Sequence, residues 1–245
     1  MKAWGITDVG LRRLENQDTF AFEISEDSDT IIAVVCDGMG GANGGQLASS
    51  LAVSVFMDEI RLLIRSEMLP EQKREMESFC VARANSAVYR RSMESDGYRG
   101  MGTTLVSAVV SPYEAVVCNV GDSRAYHLDR NGIRRITRDH SVVQSLLESG
   151  DITPEEARTH PNRNLITRAL GPESEILCDS FDVALAEGDY LLLCSDGLTG
   201  TVRDEELFDA VCSAEDGARA LEHLIALSKE RGAPDNVTAV LILNG

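Results

Sequence analysis

Short apolar runs that break on an aspartate constrain this chain more than any other feature. Residues 31–36 lead into Asp37-Gly38-Met39-Gly40-Gly41, residues 192–194 lead through Ser195 into Asp196-Gly197, and Asp235-Asn236 opens the last apolar run, 237–243. The first run is short and β-branched enough for a strand buried on both faces. A carboxylate at the tip of such a strand has lost much of its water and stays ionised only against a cation or strong donors. Three such positions imply a strong counter-charge and read as a divalent-metal site.

Around these runs the hydrophobic period switches between helix and strand. The start of the chain reads as strand, loop and strand. Leu47, Leu51 and Val55, then Ile60, Leu63 and Ile64, recur at helical spacing and stop near Pro70. A second helix from Glu71 to about Ser95 puts Met76, Phe79, Cys80, Ala84, Ala87 and Val88 on one side. The short loop between the two predicts an antiparallel pair. Segments 103–110, 113–120 and 123–128 then follow at hairpin spacing. Strands joined by turns rather than helices favour antiparallel sheet, so the fold class is α+β.

From 138 to 171 the pattern weakens into a short helix around 142–148 and a second helix start at Thr153-Pro154-Glu155-Glu156, which reads as an insertion over the core. Strands are expected again near 176–183 and 189–194, helices through about Ser228, and a last strand over 237–243. No repeat or linker interrupts the chain, and a single domain over 1–245 is expected.

The balance of 23 basic against 40 acidic residues, net −17, argues against nucleic acid or an anionic membrane as main partner. Most of the acids, such as Glu71, Glu75 and Glu77 or Asp204, Glu205 and Glu206, read as solvated helix faces. No run is long enough to span a membrane, and Met1-Lys2-Ala3-Trp4-Gly5 lacks a signal-peptide core, so a cytoplasmic protein without membrane insertion is expected. There is no Cys-x-x-Cys; Cys36, Cys118 and Cys194 sit in apolar runs and read as small buried hydrophobes.

Magnesium and manganese take oxygen ligands and keep several waters, so a site for them needs few carboxylates and some open backbone. Asp-Gly at a strand end offers both, since glycine lets the chain turn so that its carbonyl can join the ligands. Zinc would want histidine or cysteine, and neither occurs in ligand spacing. Singly these motifs are weak: a lone Asp-Gly is most often a turn, Gly121-Asp122-Ser123-Arg124 alone a hairpin, and Arg13, Asn16 and Asp18 ordinary surface residues.

In order, however, the chain carries Gly10-x-x-Arg13-x-x-Asn16-Gln17-Asp18, Asp37-Gly38-Met39-Gly40-Gly41 and Gly102-Thr103-Thr104. Then come Asn119-Val120-Gly121-Asp122-Ser123-Arg124, Asp139-His140-Ser141, Ile166-Thr167-Arg168-Ala169-Leu170-Gly171, Ser195-Asp196-Gly197-Leu198 and Asp235-Asn236-Val237-Thr238. This series resembles the PP2C-type family of metal-dependent protein phosphatases in its bacterial form, over nearly the whole chain.

The resemblance implies a four-layer αββα sandwich, two antiparallel sheets flanked by antiparallel helix pairs, that hydrolyses phosphoserine and phosphothreonine in proteins. It implies two core ions, Mn2+ or Mg2+, and a weaker third. Asp37 would bridge the core ions, the Gly38 carbonyl, Asp196 and Asp235 would complete the ligands, and Asp18 would support bound water from behind. Asp122 with Asp196 would form the third site, and Arg13 would clamp substrate phosphate. On this reading Arg13, Asp37 and Asp196 carry catalysis. Residues 139–171 would form a flap, in which Arg163 and Arg168 could meet acidic or phosphorylated substrate.

The implied partners are phosphorylated proteins, namely a bacterial serine/threonine kinase and its targets; a monomer is the default state. The chain departs from the family in Gln17, where glutamate is common, and in Met39 and Ala42, where other members have histidines. The proton donor to the leaving alkoxide is thereby unassigned, and His140 and His160 read better as structural or surface residues. Two other readings stay open: a catalytically weak phosphoprotein-binding regulator, and a hydrolase of small phosphate esters.

Overall fold

The computed structural model describes residues 1–25, 29–40, 44–65 and 67–245; the expectations on Gly41 and Ala42 lie outside the described residues. Strands β1 (Lys2–Asp8), β2 (Asp18–Ser25) and β3 (Thr30–Met39) precede helices α1 (Gly44–Leu63) and α2 (Pro70–Met93). There follow β4 (Gly102–Thr103), β5 (Leu105–Ser111), β6 (Glu114–Val120), β7 (Arg124–Asp129), β8 (Gly132–Arg135), α3 (Val142–Ser149) and α4 (Pro154–Thr159). The chain closes with β9 (Asp179–Ala184), β10 (Tyr190–Cys194), α5 (Asp196–Thr199), α6 (Asp204–Ser213), α7 (Gly217–Glu230) and β11 (Val237–Leu243).

The strands form two sheets, in orders β1-β11-β10-β7-β8 and β2-β3-β5-β6-β9, with β4 paired to β3. The ladders are antiparallel throughout. Alternation along β3 explains the layering. Ile31, Ala33 and Val35 pack with Val106, Leu191, Leu193 and Val240 between the sheets. Ile32, Val34 and Cys36 face the other way, onto Ala48, Phe56, Ile60 and Cys80 of α1 and α2. The outer face of the first sheet is covered likewise, Leu192 and Leu241 meeting Leu207, Leu221 and Leu224 of α6 and α7. Three apolar layers thus separate helices, sheet, sheet and helices, which is the αββα sandwich expected. Among the described residues no helix is long and apolar enough to cross a membrane.

Several local expectations change. Three strands, not two, precede the helices, because β1 and β2 are half-buried edge strands without an unbroken apolar run. The buried stripe of α1 is Ala48, Ala52, Phe56 and Ile60; the small alanines let the helix sit close on the sheet, while Leu47, Leu51 and Val55 line its flank and Leu63 is exposed. On α2, Phe79 is half exposed and Glu77 is fully buried, so Glu77 is not a solvated acid. Ser107 Oγ donates to Glu77 Oε1 at 2.7 Å. Burial pushes the Glu77 carboxyl up to about 8, so it holds a proton rather than a charge at neutral pH. The strand expected near 176–183 begins at Asp179. Cys36, Cys118 and Cys194 are buried free thiols, as read.

Register brings the aspartate motifs to one edge. Asp18 opposes Asp37 across β2 and β3. Cys194, two residues before Asp196, opposes Arg124 on one side and Ala239 on the other. The ends of β3 and β10, the start of β11 and the β6–β7 turn carrying Asp122 therefore meet.

Candidate active site

At that edge lies a cavity of about 210 Å³ lined by Arg13, Gln17, Asp37, Gly38, Met39, Asp122, Asn164, Ile166, Asp196, Asp235 and Asn236, among others. The backbone of Asp37 is clamped by the Gly102-Thr103-Thr104 motif. Its N–H donates to Thr104 Oγ1 at 2.9 Å, and its carbonyl accepts from Thr104 N and Thr103 Oγ1, both at 2.9 Å. Glycine is required next to two of the acids by close approach. A Cβ on Gly38 would stand 2.1 Å from the Gly45 carbonyl, and one on Gly197 would stand 1.9 Å from the Asn236 carbonyl.

Asn236 ties down the loop that presents Arg13. Its Nδ2 donates to the carbonyls of Val9 (2.9 Å) and Glu15 (3.0 Å), and its Oδ1 accepts from Gln17 N (2.9 Å). Arg13 Nη2 donates to Asp235 Oδ2 at 2.8 Å, a bond that pushes the guanidinium up. Asp18 does not line the cavity. It lies behind it, accepting from Ser195 Oγ at 2.8 Å through Oδ2, while its buried Oδ1 has no hydrogen-bond partner among the described residues.

Asp235 apart, the carboxylates of the site have no ion-pair partner among the described residues. Burial first, then the charges of Asp18, Asp196, Asp122 and Asp235, push Asp37 well above the usual carboxylate range. Burial and then Asp196 and Asp139 do the same to Asp122, burial and then Asp235 raise Asp196, and burial raises Asp18 to about 7. Each shift means that the ionised group is unfavourable as it stands, and each would reverse beside a bound cation.

The charged donors on offer are carboxylates, with no histidine or cysteine among the described lining residues, which fits a hard divalent ion. The orphaned Asp18 Oδ1 fits an outer partner to water held in front of it. Among the described residues no three His, Cys, Asp or Glu side chains already close a cage; ions that keep waters do not need one.

Of the residues singled out from sequence, Arg13, Asp37, Gly38, Asp122, Asp196 and Asp235 meet at the cavity. Gln17 lines it too, as a neutral side chain. Arg168, which the resemblance places in the flap, is off the cavity lining; its Nη1 donates to Asp179 Oδ1 at 2.7 Å and to the Leu177 carbonyl at 3.1 Å, and its side chain is partly exposed. Arg163 is exposed and off the cavity lining.

His140 is buried, its Nδ1 accepting from Gly121 N at 3.0 Å and its Nε2 facing Asp179 Oδ2 at 3.2 Å. An accepting Nδ1 places the proton on Nε2, and burial holds the ring below its ordinary value, hence neutral. His160 caps α4 and accepts from Asn162 N. Sequence reasoning missed the anchoring by Asn236 and the lining by Asn164 and Ile166. The Asp235-Asn236 pair is a signal for the first; Ile166 opens the Ile166–Gly171 motif without a cavity role read from it, and nothing in the sequence marks Asn164.

The chain matches the family model described as Protein phosphatase 2C over residues 12–229. It is 36% identical over 239 residues to a serine/threonine phosphatase, stp, of Listeria welshimeri, covering 96% of this chain and 93% of that protein. The crystal structure of a bacterial serine phosphatase superposes with a TM-score of 0.92 at 35% identity, covering 100% of this chain and 98% of the other. The catalytic domain of the serine/threonine protein phosphatase PstP, solved in complex with 2 manganese ions, superposes with a TM-score of 0.85 at 31% identity, covering 98% of this chain and 96% of that one.

Proposed function

Because this chain belongs to the protein phosphatase 2C family and is a serine/threonine protein phosphatase, we propose that it hydrolyses phosphoserine and phosphothreonine with two divalent ions, Mn2+ or Mg2+, at the carboxylate edge. The observation that carries the metal reading is the carboxylate cluster at the cavity, where Asp37 and Asp196 are desolvated and have no ion-pair partner among the described residues, beside the Arg13–Asp235 pair. Asp37, the Gly38 carbonyl, Asp196 and Asp235 would hold the core ions, and Asp122 with Asp196 a weaker third. When bound, such ions lower the pKa of water to make a nucleophile at neutral pH and neutralise charge on the phosphoryl oxygens.

The protein's own residues do the rest. Arg13 spends one donor on Asp235 and keeps others of its five for phosphate oxygens, whose geometry its planar fork matches. Asp18, held by Ser195, orients water from behind the acids. Asn164 and Ile166 bring the 139–171 flap to the cavity wall, where it limits bulk water and meets the substrate peptide. His140, neutral and committed at both ring nitrogens, does not supply the proton to the leaving alkoxide. Met39 at the rim carries no proton to give, and on this reading the donor is water in the cavity. The substrates on this reading are targets of a serine/threonine kinase, and one catalytic domain spans 1–245.

The test is phosphate release from a phosphothreonine peptide by chelator-stripped protein, titrated with manganese or magnesium. Release that depends on metal and vanishes in Asp37→Ala is expected. Metal-independent release would overturn the two-ion reading.

A further inference from the structure

We propose that Cys118 and Cys178 are a peroxide-oxidisable thiol pair, and that their disulfide pulls on the root of the flap. Cys118 lies in β6, fully buried. Cys178 immediately precedes β9 and is only partly buried, next to Leu177, which is 79% exposed. Cys118 opposes Ser180 in the ladder, so Cys178 is its diagonal neighbour on the same face. The two Sγ atoms are 4.0 Å apart, and Ser180 Oγ lies 3.2 Å from Cys118 Sγ.

The two thiols differ in the way a peroxide-driven pair requires: one is reachable, the other is sheltered and in contact with it. The hydrogen bond between them draws Cys178 down to about 6 and, together with burial, raises Cys118. The Cys178 thiolate attacks one peroxide oxygen; the O–O bond breaks, and hydroxide leaves and becomes water by taking a solvent proton. Cys118 Sγ then attacks the Cys178 sulfenic acid; the S–O bond breaks and the hydroxyl leaves as water with the Cys118 proton. Two thiols are oxidised by two electrons and one peroxide is reduced to two waters.

Closing 4.0 Å to an S–S bond of about 2.05 Å needs movement. β6 is an interior strand paired on both sides, whereas Cys178 stands outside the ladder of the edge strand β9, so the movement falls on the Cys178 side. Its neighbour Asp179 holds Arg168 at 2.7 Å and His140 at 3.2 Å, and His140 holds Gly121 beside Asp122. A shift at Cys178 therefore acts on the contacts that seat both the flap and the Asp122 turn.

The consequence for turnover rests on the function proposed above; the disulfide does not, and a mass readout separates the two. Metal-stripped full-length protein is treated with hydrogen peroxide, alkylated, digested and mapped. The same is done with Cys178→Ser and with Cys212→Ser, which removes an exposed thiol elsewhere. A linked Cys118–Cys178 peptide is expected in wild type and Cys212→Ser, absent in Cys178→Ser, and reversed by a thiol reductant. Activity of the oxidised, metal-reloaded wild type should fall at least about fivefold and recover on reduction.

Separate alkylation of both cysteines after peroxide, or Cys178 sulfinic acid with Cys118 still free, would overturn the pair. A disulfide that leaves turnover unchanged would overturn its coupling to the flap. Should Cys178→Ser not fold, the wild-type map alone decides.

Discussion

The cavity edge and the root of the flap are both crowded with aspartates, and they balance charge in opposite ways. At the root Asp139 and Asp179 have basic partners. Asp139 receives Arg124 through Nε and Nη2, at 2.6 to 3.1 Å, with Arg135 at 3.5 Å. Asp179 takes Arg168 and His140; burial works against its charge, and these partners overcome it and hold the carboxyl below its ordinary value. At the cavity, Asp37, Asp122 and Asp196 are pushed up by burial and by one another, and Arg13 reaches only Asp235. Acids that close on arginines build structure; acids left facing each other across a cavity are arranged for something that is not protein.

The comparison is broken most sharply at Asp196. Asp196→Asn should lower manganese-dependent turnover by about 10^3-fold or more, roughly 4 kcal/mol in the barrier, while metal-free stability holds or rises because a strained buried charge is gone. Steady-state kinetics and metal-free melting decide it; normal turnover, or a large loss of stability, would place Asp196 with the structural acids. Asp139→Ala should do the reverse. Leaving Arg124 unpaired should cost about 2–4 kcal/mol, somewhat under the loss for a fully buried pair because Arg124 keeps 25% of its side chain in solvent. Turnover in the folded fraction should stay within about tenfold of wild type, and denaturant unfolding with assays at low temperature would show whether it does.

Manganese sharpens the contrast from the ligand side. At a hundredfold excess over Kd it should add about 2.7 kcal/mol to wild-type stability and nothing measurable to Asp37→Ala; equal shifts in both would point to ions bound elsewhere. Glu77 is a third way of burying an acid, with a proton instead of an ion or an arginine. Its folded value, about 8, lies above its ordinary 4.5, so the stability it confers is full below 4.5 and is lost as pH rises through about 8. Glu77→Gln removes that loss, and its stability relative to wild type should grow by about 3.5 kcal/mol between pH 5 and pH 8. A gap that stays flat with pH would mean that Glu77 is ionised in the fold.

The smallest effect belongs to His140. Burial holds its folded value below the ordinary 6.5, so stability present above 6.5 is lost as pH falls below it, when the unfolded chain binds the proton first. His140→Asn, which keeps an acceptor for Gly121 N–H, should flatten this slope by less than the Glu77 change. An unchanged slope would show that the acid loss arises at other groups.

Much of this could be read before any coordinates. The helix pair, the hairpins and the α+β class follow from periodicity, and Arg13, Asp37, Gly38, Asp122, Asp196 and Asp235 follow from the family resemblance that the ordered motifs carry. What escaped was the use made of particular polar residues. Glu77 lies on the buried stripe of α2 with Lys73, Cys80, Val81 and Ala84, while Phe79, nearly opposite round the helix from it, is half exposed; residue type pointed the other way for both, and helical spacing was the better guide. Arg168 and Arg13 look alike in sequence and each pairs with an aspartate, yet only Arg13 does so at the cavity.

Where strands end in carboxylates and which faces are apolar can be read from residue order and period, since both are local properties. Which acids find an arginine, a proton or neither is set by the folded arrangement. Asp235 meets Arg13 from 222 residues away and Asp18 meets Ser195 from 177, and the cost of a buried charge depends on partners that no local pattern contains.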